Sequence, residues 1–297
     1  MTTWLVTGAG GALGRDLMAV LTAAGSDSAT GLDRHALDIT DRSAVEEALT
    51  AHRPDVVINA AAYTRVDDAE TDERTAAAVN GAGPGHLARW CAANRARLVH
   101  VSTDYVFTGE ASSPYETDSP TGPASAYGRT KLAGEQAVLD AGGDGHVVRT
   151  GWLYGEHGPS FVRSVGGRLI AGDPVDVVDD QRGAPTWTRH LAERLVSLGG
   201  APVPPGVRHC SSAGEASWYD VAVQLAVLLG RDPAQVRPTT SAAMARPAPR
   251  PAYSVLSSAS WTSAGLPAMP DWRDSLSEAV SALGERLVGP LPGAARR

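Results

Sequence analysis

A tyrosine and a lysine four residues apart give this sequence its first chemical signal. Tyr127 and Lys131 belong to the segment Tyr127-Gly-Arg-Thr-Lys131, which begins a predicted helix. Residues four apart share one helix face, so an ammonium would stand beside a phenol and lower the phenol pKa from its ordinary value of about 10. Such a tyrosine acts as an acid or a base near neutral pH. Thr103, at the end of a predicted strand, offers a hydroxyl that can bind the same substrate oxygen.

The use of lysine along the chain favours that interpretation. The 297 residues include 25 arginines and a single lysine, Lys131. Given the seven tyrosines, chance would place one lysine four positions after a tyrosine in roughly 2% of cases. An ammonium is a compact point charge that can also bind ribose hydroxyls, whereas a guanidinium is broad and planar. The pair therefore indicates chemistry rather than a solvated lysine beside a packing tyrosine.

A glycine-rich loop follows the first predicted strand, Trp4–Thr7. Gly8, Gly11 and Gly14 stand in a G-x-x-G-x-x-G spacing, and a predicted helix opens near Ala12. The first glycine permits a tight turn, the second lets backbone amides approach a pyrophosphate, and the third lets helix and strand pack closely. Amides at the helix N-terminus then face the phosphates. This order of strand, loop and helix predicts a dinucleotide site rather than a merely structural turn.

Two residues after the second predicted strand bear on the choice of cofactor. Asp33 lies 19 positions after Gly14, near the spacing at which an acid meets the adenosine ribose hydroxyls, which favours NAD(H). Arg34 follows at once and can instead pair with a 2′-phosphate, so NADP(H) stays open. The alternative role for Asp33 is that of a turn cap.

Small residues follow the third predicted strand, in the segment Asn59–Thr64. At the carboxyl edge of a parallel sheet, small side chains let a cofactor lie against the backbone. This position favours cofactor contact over the alternative, close helix packing.

Predicted strands and helices alternate over the first 150 residues. The strands are 4–7, 29–32, 55–59, 97–102 and 145–150, and the helices are 12–25, 43–51, 73–94 and 126–141. This alternation predicts an α/β fold of the Rossmann type, a doubly wound parallel sheet with right-handed crossovers. We expect residues 1–150 to form an NAD(P)-binding domain.

The pattern changes after about Thr150, where proline, glycine and tryptophan become more frequent. We expect residues 151–297 to form mainly a smaller α/β substrate-binding domain, with some segments returning to the first domain. Helices are predicted at 161–171, 190–198, 217–229 and 272–287, an extended or looped segment at 246–251, and a frayed tail at 289–297.

Composition and charge disfavour several classes of protein. A formal net charge of −7 argues against nucleic-acid binding, which usually requires a basic surface. The longest apolar runs, such as Val221 to Leu229, are too short to cross a bilayer. The first residues show no secretory signal, and Cys91 and Cys210 form no pairwise motif. We therefore expect a cytoplasmic protein with reduced thiols.

These residues resemble the extended short-chain dehydrogenase/reductase superfamily. A narrower resemblance, to the dTDP-4-dehydrorhamnose reductase family, runs in order along nearly the whole chain. Its motifs are Ser102-Thr-Asp-Tyr-Val-Phe107, Tyr127-Gly-x-Thr-Lys-Leu-Ala-Gly-Glu135, Arg149-Thr-Gly-Trp152-Leu-Tyr154, Asp180-Gln-x-Gly-Ala-Pro-Thr186, Trp218-Tyr-Asp220, Arg250-Pro251 with Ser254, and Pro270-Asp-Trp272. The motifs of the second half are the more discriminating, because most nucleotide-binding folds lack them.

The resemblance implies reduction of the 4-keto group of a dTDP-4-keto-6-deoxyhexose, dTDP-4-dehydrorhamnose, with NADPH or NADH. Tyr127 would protonate the 4-oxygen, and Lys131 would hold the nicotinamide ribose and tune Tyr127. Thr103 and Asp104 would contact the substrate, and Trp152 would wall the sugar pocket. The implied cofactor positions are Gly11, Ala12, Leu13, Asp33, Asp38, Ile39, Ala62, Tyr63 and Thr64. Whether the protein forms a homodimer is left open by the sequence.

The chain also departs from the family pattern. Where many members have Arg-Pro-x-Asn-Ser, it has Arg250-Pro-Ala-Tyr253-Ser254, followed by Val255 rather than a basic residue. Some relatives bind magnesium between subunits through glutamates. Only Glu193 and Glu285 are plausible matches here, and we predict no metal site.

Other functions share part of this pattern. Sugar-nucleotide 4,6-dehydratases have Thr-Asp-Glu at this place, whereas this chain has Tyr105 as the third residue. The acid expected of a dehydratase is therefore absent. A 4-epimerase would share Thr103, Tyr127 and Lys131 and stays an alternative. A non-catalytic regulatory subunit that binds NADP(H) through the same fold is the second alternative. Trp218 is either a pocket residue or a core residue.

Overall fold

The computed structural model describes residues 2–25 and 28–290. Its strands are β1 (Trp4–Thr7), β2 (Ala29–Leu32), β3 (Val56–Asn59), β4 (Arg97–Thr103), β5 (Asp144–Thr150), β6 (Leu153–Tyr154), β7 (Val175–Val178), β8 (Arg182–Gly183), β9 (Thr186–Trp187), β10 (Gly206–His209), β11 (Ala216–Ser217) and β12 (Val236–Thr239). Its α-helices are α1 (Ala12–Ala23), α2 (Arg42–His52), α3 (Val66–Ala69), α4 (Glu73–Ala77), α5 (Gly83–Asn94), α6 (Ala126–Asp140), α7 (Phe161–Ala171), α8 (Thr188–Gly200), α9 (Trp218–Leu228), α10 (Ala259–Thr262), α11 (Trp272–Leu283) and α12 (Glu285–Val288).

Five strands of the first half and β10 of the second half form a six-stranded parallel sheet in the order β10-β5-β4-β3-β1-β2. The predicted α/β fold is confirmed, because β1 to β5 are the five strands that the sequence predicts and helices separate them. Strands such as β3 are buried along their whole length, as expected where helices cover both faces of a sheet.

The edge strand β10 is not among the predicted strands. It contains Arg208 and His209, which interrupt the apolar pattern, yet both are buried. Arg208 bonds the Nδ1 atom of His146 on β5 at 3.1 Å and the carbonyl of Pro204 at 2.6 Å. A strand stabilised by such distant polar partners carries no local signal in its own sequence.

The second half of the chain contributes to two separate cores. Leu191, Leu195 and Leu198 of α8 pack with residues of β1, β3 and α1 beneath the central sheet. A second core lies among α7, α9 and α11, around Trp187 and Trp272. Three two-stranded pairs, β7 with β12, β8 with β11, and β6 with β9, lie outside the central sheet.

Residues 73–94, predicted as one helix, form α4, a π-helical turn at Ala78–Ala82, and α5. The π turn places Asn80 in the interior, where its Oδ1 accepts from the amide of Tyr63 at 2.8 Å and its Nδ2 donates to the carbonyl of Tyr63 at 3.1 Å. Gly134 of α6 packs directly on the carbonyl of Asn80. The π turn therefore connects α6 to the loop that follows β3.

Several further predictions can be compared with the structure. No helix within the described ranges is long and apolar enough to cross a membrane. Cys91 and Cys210 are buried free thiols. The segment 246–251 contains neither helix nor strand, as predicted. The predicted frayed tail lies outside the described residues from position 291 onward.

The contact between Gly134 and Asn80 gives a test of stability. A Cβ at position 134 would overlap the carbonyl oxygen of Asn80, so the π turn would have to move. We expect Gly134→Ala to lower the free energy of unfolding by about 2 kcal/mol in urea denaturation. Gly200→Ala in α8 is the matched control, because a Cβ there meets no atom within 4 Å. Equal stability of the two variants would contradict this packing.

Candidate active site

A cleft of about 1220 Å³ opens at the carboxyl edge of the central sheet. The glycine loop, the ends of β4 and β5, and the start of α6 form its walls. In open α/β sheets, ligands bind at this edge. The residues of the sequence-predicted site that line the cleft are Gly11, Ala12, Leu13, Gly14, Ala62, Thr64, Thr103, Asp104, Tyr127, Lys131 and Trp152.

The glycine loop fits a pyrophosphate. Gly8 has φ +69°, and a Cβ there would lie 2.6 Å from the amide nitrogen of Ala61, so only glycine brings β1 this close to the loop after β3. Gly14 lies against the carbonyl of Gly8, with no space for a side chain. The N-cap of α1 is Gly11, which offers no side-chain cap, and the first residues of that helix line the cleft. Uncapped amides at this place suit phosphate oxygens.

Asp33 caps the turn that follows β2. Its Oδ1 accepts from the amides of His35 at 2.9 Å and Ala36 at 3.1 Å. The hydrogen bonds from Ala36 and His35 hold the pKa of this carboxyl below its usual range. Asp33 also borders the glycine loop, because a Cβ on Gly10 would lie 3.3 Å from the Cβ of Asp33. The turn-cap role is therefore present, and it leaves the residue beside the predicted cofactor site.

Ser125 sets the start of α6 and so the position of Tyr127. Its Oγ accepts from the amide of Gly128 at 3.1 Å. Gly128 packs against the carbonyl of Tyr105, where no side chain fits, and this contact draws α6 onto the turn after β4. The ring of Tyr105 meets that of Tyr127 edge to face, with centroids 5.8 Å apart.

The pKa of Tyr127 moves in the direction opposite to the prediction. The pKa of Tyr127 is raised to about 12, mainly by loss of hydration; a hydrogen bond with Thr103 lowers it and the neighbouring Asp104 charge raises it. Lys131 is not among the groups that shift this pKa, and its Nζ donates instead to the carbonyl of Val101 at 2.7 Å. In the protein alone, Tyr127 is therefore a protonated phenol at neutral pH.

Lys131 is itself almost fully buried, with 1% of its surface exposed. Burial lowers its pKa to about 8, and the charge of Glu135 opposes this shift. Glu135 is already paired, because it accepts from Arg149 at 2.7 Å and from Ser102 at 2.5 Å. The ammonium thus lies at the floor of the cleft in a poorly hydrated place.

Asp104 is a buried carboxyl that lines the cleft. Burial raises its pKa to about 6, although hydrogen bonds from Ser254 and Thr103 lower it. The carboxyl packs on Gly151 so closely that a Cβ there would lie 2.6 Å from the Cγ of Asp104. Thr103 Oγ1 donates a hydrogen bond to Asp104 Oδ1 at 3.0 Å.

Trp152 has a strained backbone and a flat partner. Its φ of +52° is rare for a bulky residue. Its ring stacks on that of Trp218 with centroids 3.5 Å apart and planes 3° apart. Gly183 lies under the Trp152 ring, where no side chain fits. Trp218 lines the cleft and is half-buried, so it is a pocket residue rather than only a core residue.

Comparison with known proteins agrees with this geometry. The chain matches the family model of the RmlD substrate binding domain over residues 1–284. It is 51% identical to a dTDP-4-dehydrorhamnose reductase of Streptomyces griseus over 295 residues, which cover 98% of this chain and 97% of the relative. The chain belongs to the dTDP-4-dehydrorhamnose reductase family.

Two further members and their relation to the chain refine that assignment. A probable dTDP-4,6-dihydroxy-2-methyloxan-3-one 4-ketoreductase of Streptomyces antibioticus is 53% identical over 277 residues, 93% of this chain and 94% of that protein. The dTDP-4-dehydrorhamnose reductase of Bacillus anthracis, solved in complex with NADP, is 31% identical, superposes with a TM-score of 0.90, and covers 95% of this chain and 99% of its own.

Four other predicted site residues of this family member do not line the cleft. Asp38 accepts from the amide of Thr40 at 2.9 Å and is exposed. Ile39 is buried in the core against Gly83. Tyr63 is buried and bonded to Asn80 through its backbone. Arg34 is exposed at the end of β2. Cofactor contact by these residues stays a prediction.

The sequence predicts no role for four buried residues beneath the site, Glu135, Arg149, Asn59 and His100. Glu135 stands four residues after Lys131 on the same face of α6, a spacing that could have indicated it. Its bidentate partner Arg149 lies at the end of β5 and becomes adjacent only in the folded sheet. Asn59 and His100 are also fully buried next to the site.

The raised pKa of Asp104 predicts a gain of stability on its replacement. The folded state holds this proton more tightly than an unfolded chain with the ordinary pKa of 3.8, so stability falls as pH rises from about 4 to about 6. We expect Asp104→Asn to raise the free energy of unfolding at pH 7.5 by about 2 kcal/mol.

The measurement is urea denaturation between pH 4 and pH 7.5, where the variant should also lose part of the pH dependence of stability. The exposed Asp140→Asn is the control and should change stability by less than about 0.5 kcal/mol. An unchanged or lower stability of Asp104→Asn at pH 7.5 would contradict the raised pKa.

Proposed function

We propose that this protein reduces the 4-keto group of dTDP-4-dehydro-6-deoxy-L-hexose, giving dTDP-L-rhamnose or a closely related dTDP-deoxysugar, with NADPH or NADH as reductant. The observation that carries the proposal is the grouping of Tyr127, Thr103 and Lys131 beside the glycine loop in one cleft. Membership of the family supports the same reaction.

Tyr127 is the proton donor in this proposal. A phenol with a pKa of about 12 is protonated at neutral pH, so it enters the reaction as an acid, as carbonyl reduction requires. The Thr103 hydroxyl, which donates to Asp104 in the protein alone, can turn to donate to the phenolate that forms. NAD(P)H supplies the hydride when bound.

Lys131 and the glycine loop hold the cofactor in the proposal. The compact ammonium at the cleft floor suits the hydroxyls of the nicotinamide ribose. Gly11, Ala12 and Leu13 offer amides to the pyrophosphate. Arg34 beside Asp33 allows either a 2′-phosphate or a 2′-hydroxyl, so both reductants fit the proposal.

The substrate enters the cleft opposite the glycine loop. The stacked rings of Trp152 and Trp218 offer an apolar wall to the faces of a 6-deoxy sugar. Asp104 offers a carboxyl to its hydroxyls. One relative is named as a 4-ketoreductase of a dTDP-linked deoxysugar other than dehydrorhamnose, and this name supports a broader product class.

The buried free thiols of Cys91 and Cys210 are compatible with a protein that works in the cytoplasm.

Tyr127→Phe tests the acid. We expect NAD(P)H oxidation in the presence of dTDP-4-dehydrorhamnose to fall by about 10²–10⁴-fold, because the proton donor is lost. The dissociation constant for NADPH, measured by fluorescence, should stay within about twofold of wild type. Tyr219→Phe, in the second core, is the matched control and should keep activity.

Two results would contradict the proposed function. One is a wild-type protein that binds NADPH and does not oxidise it with this substrate, which would favour a regulatory role. The other is NAD that copurifies and does not exchange during turnover, which would favour an epimerase.

Lys131→Arg tests the compact ammonium. Lys131 has 1% of its surface exposed, and a guanidinium is wider and needs more hydrogen-bond acceptors than the carbonyl of Val101. We expect kcat/KM to fall by about 100-fold or more. Arg168→Lys in α7, where the side chain is exposed, controls for the exchange itself. Full activity of Lys131→Arg would mean that any cation suffices.

A further inference from the structure

A row of buried polar side chains runs across three neighbouring strands to Lys131. Thr7 on β1 is in register with Asn59 on β3, and Asn59 is in register with His100 on β4. Thr7 Oγ1 donates to Asn59 Oδ1 at 2.7 Å, and Asn59 Nδ2 lies 3.0 Å from His100 Nδ1. His100 Nε2 lies 3.5 Å from Lys131 Nζ. No more than 1% of any of these side chains is exposed.

The backbone fixes the orientation of the Asn59 amide. The amide N–H of Ala61 donates to Asn59 Oδ1 at 3.1 Å. A reversed side chain would turn its NH₂ group toward that N–H, leaving two donors face to face. Asn59 Nδ2 is therefore the donor to His100, and His100 Nδ1 accepts.

The tautomer of His100 follows. Burial holds the pKa of His100 well below its usual value, so the ring is neutral. A neutral imidazole that accepts at Nδ1 carries its proton at Nε2. The Nε2–H group then faces Lys131, and an ammonium has no lone pair with which to accept it.

We propose that His100 is a positioning residue for Lys131. It turns the ammonium of Lys131 toward the cleft, and it can donate a hydrogen bond to the neutral amine. The proposal rests on the proposed function for the role of Lys131. One ammonium hydrogen reaches the carbonyl of Val101. The Nε2–H group of His100 directs the other two ammonium hydrogens away from the sheet and toward Tyr127 and the cleft. When Lys131 loses its proton, its lone pair accepts from the same Nε2–H without moving.

Other charged groups near Lys131 do not replace this contact. Glu135 lies one turn further along α6, and Arg149 of β5 neutralises it at 2.7 Å. Tyr127 lies one turn earlier on α6. Asp104 and Tyr105 lie on the turn after β4, and Asp104 is hydrogen-bonded to Thr103. Among the described residues, His100 is the titratable side chain whose ring nitrogen lies within 3.5 Å of Nζ.

The unique lysine allows a direct measurement. Protein labelled with [ε-¹³C]lysine, carrying a lysine-free purification tag, gives one lysine resonance, because Lys131 is the only lysine. Its chemical shift against pH reports the pKa of Lys131 without any assay of activity. Because an Nε2–H donor favours the neutral amine, its removal in His100→Asn should raise this pKa by about one pH unit.

The choice of variant preserves the rest of the row. The carboxamide oxygen of Asn at position 100 can accept from Asn59, as Nδ1 does. His190→Asn is the matched control, since His190 is a buried histidine bonded to Ser275 at 3.1 Å and away from the cleft. We expect it to leave the Lys131 pKa unchanged.

Asn59→Asp provides a second route if His100→Asn does not fold. An aspartate carboxylate would accept a hydrogen bond from Nδ1–H of His100, so the ring proton would lie at Nδ1 and Nε2 would be free to accept from the ammonium. The Lys131 pKa should again rise, and ¹⁵N spectra should show the exchange of tautomer. The alkaline limb of the kcat profile should move to higher pH in both variants.

The outcomes separate the two proposals. A Lys131 pKa unchanged in the folded variants, or a wild-type His100 protonated at Nδ1, would overturn the positioning role. A pKa that moves as expected in a protein that does not oxidise NAD(P)H with the dTDP-sugar would leave the contact in place and reject the proposed function.

Discussion

The burial of a single ammonium beneath the carboxyl edge of the sheet is the constraint on which the site depends. Taking a charge out of water is costly, and the interior must supply partners at fixed positions. The ammonium of Lys131 donates to the carbonyl of Val101 at 2.7 Å, and burial lowers its pKa to about 8. This requirement explains why α6 must be held firmly in place, by Gly128 against the turn after β4 and by Gly134 against the π turn.

The same burial determines the character of Tyr127. A phenol placed near Lys131 in water would become more acidic, but here loss of hydration dominates and raises its pKa. The result suits a reductase, which needs a proton donor, better than it suits an enzyme that must abstract a proton in the absence of cofactor. The charges of the site are thus set more by how deeply each group lies than by which group is next to it. The buried pair of Glu135 and Arg149 is the exception, since there each charge is neutralised by its neighbour.

Much of this could be predicted from the sequence, because the signals are local. The glycine spacing, the alternation of strands and helices in the first half, and the shared face of Tyr127 and Lys131 each depend on residues within one or two elements. The edge strand β10, the π turn at Ala78–Ala82 and the direction of the Tyr127 pKa depend on contacts between distant segments. The row of Thr7, Asn59 and His100 exists only because β1, β3 and β4 are in register, and a single sequence does not show register.

The wall of the cleft illustrates how such distant segments combine. Trp152 adopts a φ of +52°, and a bulky side chain keeps such a conformation only where its surroundings fix it. Here Trp218 from α9 stacks on the ring, and Gly183 from β8 packs against it beside the indole nitrogen. Three segments more than thirty residues apart in sequence are therefore needed to hold one indole flat. Because two of them also pack on the second core, the shape of this wall of the cleft depends on the folding of that core.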